Sequence, residues 1–163
     1  EFVMQPILIL GVLFHFTMGF ILDYQNKKAR PVGYAIKNDQ RNSSWISRNM
    51  ILSGLVILAF LGLHFYDFWF PEMQYKYIEF STPNEHRYFP ELVHKFEDPL
   101  RVGFYTLSFI LLMMHLLHGF QSAFQSLGVN NKFTPTIKKT AWAFSVVVPM
   151  TFVFIALFHH LKH

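Results

Sequence analysis

The chain contains no cysteine. That removes Cys-ligated iron–sulfur clusters, thiolate-ligated haem and disulfides from the chemistry open to it. Charge is scarce as well. Asp, Glu, Lys and Arg make up 15% of the 163 residues, where a soluble domain carries roughly a quarter. The net charge of +4 is not gathered into a basic helix or stripe apart from the apolar runs, so no nucleic-acid partner is expected. The start, Glu1-Phe2-Val3, has neither an initiator Met nor a signal-peptide n-region. Its first residues already belong to an apolar run, and a preceding segment is expected.

What is abundant is apolar. Hydrophobic residues form 52% of the chain, and 20 of its residues are phenylalanine, which gives apolar area with no polar handle. Four nearly charge-free stretches have the length of membrane helices. They run from about Val3 to Leu22, Met50 to Phe70, Val102 to Phe124 and Ala141 to Leu161. As helices of a soluble core, four such segments would leave no solvated surface. The spacing therefore predicts an all-α integral membrane helical bundle, one transmembrane domain over 1–163. Pro6 falls in a first turn, where its missing N–H costs little. Pro149 is interior and marks a kink rather than a break.

Loop charge sets the orientation. The first connection holds Lys27, Lys28, Arg30, Lys37, Arg41 and Arg48 against Asp23 and Asp39. The third holds Lys132, Lys138 and Lys139 with no acid. The second holds Glu72, Glu79, Glu85, Glu91, Glu97 and Asp98 against Lys76, Arg87, Lys95 and Arg101. Basic loops stay cytoplasmic, so the first and third connections face inward and the second outward. Trp45, Trp69, Phe70, Tyr75 and Trp142 fall at the edges, where aromatic belts form. With both ends of the chain outside, one further helix ahead of it is the simplest completion.

The nine histidines are the feature that needs a reason. His86, His94 and His163 read as solvated. His15, His64, His115, His118, His159 and His160 fall within or at the ends of spans, where a polar side chain is costly and usually functional. Interhelical hydrogen bonding and interfacial anchoring are the plainer alternatives. Depth argues for ligation. His15 and His115 lie at nearly the same depth on spans running the same way. Both begin a His-x-x-x-Gly run, His15 to Gly19 and His115 to Gly119. A small residue four places on shares the face of the His and leaves room for a flat ring or a close helix. Two histidines at one depth can clamp a single haem iron, and bis-His ligation favours electron transfer over oxygen chemistry. His118, one turn nearer the cytoplasm, is the competitor for His115. His64 lies further out, several ångströms to ~10 Å at ~1.5 Å per residue, and matches a second, outer haem. Its partner is His159 or His160, or lies on a preceding helix.

The runs Phe14-His15-Phe16-Thr17-Met18-Gly19-Phe20, Leu63-His64-Phe65-Tyr66-Asp67-Phe68-Trp69 and, most specifically, Met114-His115 through Gly128 carry a family resemblance. With Arg48 to Gly54 they make the whole chain resemble the five-helix, di-haem cytochrome b membrane anchor of succinate dehydrogenase and fumarate reductase. The type is that of menaquinone-using bacteria, in a Bacteroidetes-like form. The resemblance implies that the chain spans helices two to five of such a subunit. It implies an inner haem b on His15 and His115, and an outer one on His64 and a first-helix residue that has no counterpart here. It implies two haems in the intact parent and one in this piece, with His159 and His160 not primary ligands. It implies flavoprotein and iron–sulfur subunits on the cytoplasmic side of a bacterial inner membrane, menaquinone as electron partner, and no enzyme activity for the chain alone.

Arg48 and Arg101 sit at span edges, where snorkelling to the interface is preferred over pairing with haem propionates. Gln121 and Ser122 are candidates to contact quinone or propionate. Two other readings stand beside this one: a cytochrome b anchor of a hydrogenase or formate dehydrogenase, and a haem-free transporter or assembly protein with structural histidines.

Overall fold

The computed structural model describes residues 3–29, 48–82, 84–128 and 131–162. Arg30, Lys37, Asp39, Arg41, Trp45 and His163, invoked above, lie outside them. The described residues contain helices and no strands. α1 is Met4–Lys28, α2 is Met50–Ile78, α3 is Tyr88–Lys95, α4 is Pro99–Ser126 and α5 is Thr134–Leu161. α1, α2, α4 and α5 are long and apolar enough to cross a membrane, as in a multi-pass membrane protein.

All four outrun the ends set by charge in the sequence. α1 continues past Leu22 because Lys27 pairs with Asp23 one turn back, at 2.7 Å. α5 begins at Thr134, with Pro135 in its first turn, and carries Lys138 and Lys139 on its exposed surface. α2 runs through Pro71. Directly ahead of that proline lies a π-turn over Phe65–Trp69, whose bonds step from i−4 to i−5: the Phe70 N–H donates to the Phe65 carbonyl. The wider turn gives room for the pyrrolidine ring, which in a regular helix clashes with the carbonyl four residues back. A second π-turn, Gln74–Ile78, ends the helix.

Two compact units are present, Glu1–Gly54 and Leu55–His163, with the division inside α2. The first is mainly α1, which has no buried residue. Apolar side chains such as Leu10 and Phe14 stand open around it. Such a surface calls for lipid or protein cover.

The second unit holds the core: Phe60, Phe96, Val102, Tyr105, Phe109, Val153 and Ala156. α4 and α5 form its principal helix pair. Ser108, Ser145 and Ala156 are fully buried, and small residues let helix backbones approach closely. Both serine hydroxyls donate to carbonyls in their own helices, Ser108 to Phe104 and Ser145 to Ala141, each at 2.7 Å. Pro149 is buried on the same side of α5, one turn beyond Ser145, and the helix is continuous through it.

The connection between α2 and α4 is folded. Arg87 reaches back to Glu72 and forward to Glu91. Its guanidinium lies 3.9 Å from the Tyr75 ring centroid. The Tyr88 hydroxyl donates to Glu72 at 3.1 Å. Asp98 caps α4 by accepting from the Leu100 N–H at 3.0 Å. At the far end of α4, Gly128 takes φ +63°, the left-handed position that commonly closes a helix.

Candidate functional site

The long helices are apolar, so their histidines stand out by position. His15 is exposed on α1. A Cβ built on Gly19 would meet nothing within 4 Å, so the face one turn along from His15 is open. His15 belongs to the first unit. His64, His115, His118, His159 and His160 belong to the second.

Within the second unit the histidines occupy separate levels. The Phe60 ring packs edge-on against Tyr105 and Phe109, with centroids 5.2 Å apart in each case. His64 is one turn beyond Phe60, toward the end where Asp67 meets Tyr105 and Arg101. It therefore stands opposite the first two turns of α4. His115 is ten residues past Tyr105 on α4, which at 1.5 Å per residue is roughly 15 Å further along the axis. One iron cannot take His64 and His115 as its axial pair.

The His64 ring lies between Phe60 and Phe68, with centroids 5.8 and 5.3 Å away. Its Nδ1 is buried without a hydrogen-bond partner. A buried imidazole nitrogen without a partner is uncommon and calls for an explanation. His115 and His118 are half-buried. His118 Nε2 and the Ser122 hydroxyl meet at 3.5 Å, one turn apart on α4. Gln121 and Ser122 are exposed, as is Arg48 just ahead of α2.

His160 has a structural contact. Its Nδ1 donates to the Phe96 carbonyl at 2.9 Å and ties the end of α5 to the link between α3 and α4. The His159 ring packs edge-on against Phe89. His94 is exposed and approaches Glu97 at 3.3 Å, and His86 is exposed. Among the described residues no three His, Cys, Asp or Glu side chains gather as a metal-binding group.

One turn beyond His64, inside the π-turn, is a residue that charge counting passed over. Asp67 is 2% exposed. Its Oδ2 accepts from the Tyr105 hydroxyl at 3.0 Å and lies 3.2 Å from Arg101 Nε. Its Oδ1 is 3.6 Å from Lys95 Nζ. A buried carboxylate needs partners of this kind, and here they come from two elements, the last turn of α3 and the first turns of α4. Arg101, assigned to snorkelling, is instead half of an ion pair. The signal in the sequence was an acid inside a span together with bases just outside the next one.

The other end of the unit is built differently. An open groove of about 440 Å³ lies between the last turns of α4 and the first turns of α5. Phe120, Phe124 and Phe144 wall it, with Thr136 and Thr140 as its polar residues. Phe120 stacks on Phe124 and meets Phe144 edge-on, both with centroids 6.1 Å apart. Compared with known proteins, the chain matches no family model, no curated protein and no solved structure.

Proposed function

We propose that this protein is a haem-b membrane anchor subunit of a succinate:quinone oxidoreductase, passing electrons between an iron–sulfur subunit and menaquinone. The observation that carries the proposal is the distribution of histidines on helices suited to a bilayer. Those of the second unit stand at separate levels, and one of them, His64, is held between phenylalanine rings with an unpartnered buried nitrogen. In apolar surroundings an imidazole without a role is expensive. Haem gives it one. His115 is followed one turn later by Gly119, which has no side chain of its own on that face.

By resemblance to the family, His15 and His115 are assigned to an inner haem and His64 to an outer one. The resemblance of the His115 to Gly128 run to the succinate dehydrogenase and fumarate reductase anchors selects this complex over the anchors of hydrogenase or formate dehydrogenase. Bound haem supplies one-electron transfer. The chain's own part is to fix the ring orientation, exclude water and set the axial ligands that tune potential. The dicarboxylate chemistry belongs to flavoprotein and iron–sulfur partners at the cytoplasmic face of the bacterial inner membrane. No catalytic residue for it is assigned to this chain.

The test is a dithionite-reduced minus air-oxidised spectrum of membranes bearing the wild type, His115→Ala or His118→Ala. The wild type should show b-type haem, His118→Ala should keep it, and His115→Ala should lose the inner haem's contribution. Loss in His118→Ala with retention in His115→Ala overturns the ligand assignment.

A further inference from the structure

Two buried polar atoms, one turn apart on α2, are left over by the contacts described above. One is His64 Nδ1 and the other is Asp67 Oδ1, and neither has a hydrogen-bond partner. Their chemistry is complementary: a ring nitrogen can carry a hydrogen, and an ionised carboxylate can only accept one. The surroundings offer little else. His64 is flanked by the rings of Phe60 and Phe68. Asp67 gives its other oxygen to Tyr105 and Arg101. The Lys95 ammonium stands 3.6 Å from Oδ1, beyond hydrogen-bond length. The carboxylate acts electrostatically on the His64 ring, so the two groups are neighbours without a direct hydrogen bond. A polar gap wider than about 3.5 Å is one that a water commonly spans. Buried waters typically make about three hydrogen bonds to groups otherwise left unsatisfied.

We propose that one buried water joins His64 Nδ1, Asp67 Oδ1 and Lys95 Nζ. The water accepts from Nδ1–H and from the ammonium and donates to Oδ1, so each group acts in its own sense. A neutral imidazole has a single N–H, and the hydrogen bond made by one ring nitrogen decides the state of the other. The bridge therefore keeps the hydrogen on Nδ1 and the lone pair on Nε2. Asp67 becomes a positioning residue for His64, itself anchored by Tyr105 and Arg101. Ligating histidines are commonly held in this way, with the second nitrogen on a carboxylate or a water. The water and the tautomer concern this chain's own groups and need no cofactor. Only the use of Nε2 toward haem iron rests on the proposed function.

Proton-detected NMR of the purified full chain, 15N-labelled at histidine, tests the bridge, with His64→Gln identifying the resonance. Soret absorbance of the same sample reports haem separately, so the two readings can fail independently. The wild type should carry its His64 hydrogen on Nδ1, with a cross-peak from that hydrogen to a slowly exchanging water. Tyr105→Phe, which touches only the other carboxylate oxygen, should keep both signals. Asp67→Leu should lose the water cross-peak. The wild type decides alone if Asp67→Leu does not fold. A hydrogen on Nε2 only, hydrogens on both nitrogens, or an Nδ1 hydrogen with no water contact overturns the proposal. So does a cross-peak that survives in folded Asp67→Leu.

Discussion

The two ends of the α4–α5 unit solve the same problem in opposite ways. At the Asp67 end, charged groups are drawn inward and matched: Asp67 with Arg101, Lys95 and Tyr105, and Glu72 with Arg87 and Lys76. At the Lys138 end, charge stays on the surface with no acid to answer it, and the helices part over an apolar groove. The first end is closed by its own side chains. The second is finished by what surrounds it. Ion pairs therefore mark where this unit is held together, and at the other end the lysines are simply exposed.

Breaking that contrast begins at the closed end. Phe60→Ala removes the ring that joins Tyr105 and Phe109 to α2. It should cost about 3–5 kcal/mol, read as a lower denaturation midpoint in detergent. Asp67→Ala leaves Arg101 and Lys95 partly buried without their anion, and should cost about 3 kcal/mol in the same assay. Ser108→Leu forces a larger side chain into the α4–α5 contact and should cost about 1–3 kcal/mol. Tyr105→Phe deletes only the hydroxyl on Asp67 and should cost about 1.5 kcal/mol. A double-mutant cycle with Asp67→Asn should show non-additivity between them. At the open end, Lys138→Gln should change stability by less than about 0.5 kcal/mol. A loss there as large as that of Asp67→Ala would erase the distinction between the two ends.

The fold class was legible because apolar run length is a strong signal, and all four predicted spans lie within or coincide with long helices. Their ends were less legible, since a charge was taken as a stop. Asp23, Lys138 and Lys139 instead sit on helices that simply continue past the apolar segment, supported by i,i+4 pairing or by exposure. The second span was ended at about Phe70, short of Ile78, because a π-turn ahead of a proline has no sequence signature of its own.

Of the candidate site, the separation of His64 from His115 could be anticipated from depth alone, because rise per residue is fixed. The Asp67 cluster could not. Its members lie up to 38 residues apart, and only packing decides that Lys95 and Arg101 turn toward Asp67 rather than toward water. His160 was equally opaque: its partner is a backbone carbonyl, which no residue type advertises. His118 and Ser122, one turn apart, were both singled out from the sequence, but their mutual contact was not foreseen.

The most direct test of the central claim is a pyridine haemochrome quantification on the purified, folded wild-type chain. The proposed function predicts stoichiometric haem b, with a reduced-minus-oxidised spectrum that responds to a menaquinol analogue. Folded protein with no haem and no Soret absorbance would contradict it, and would leave the membrane histidines as structural groups.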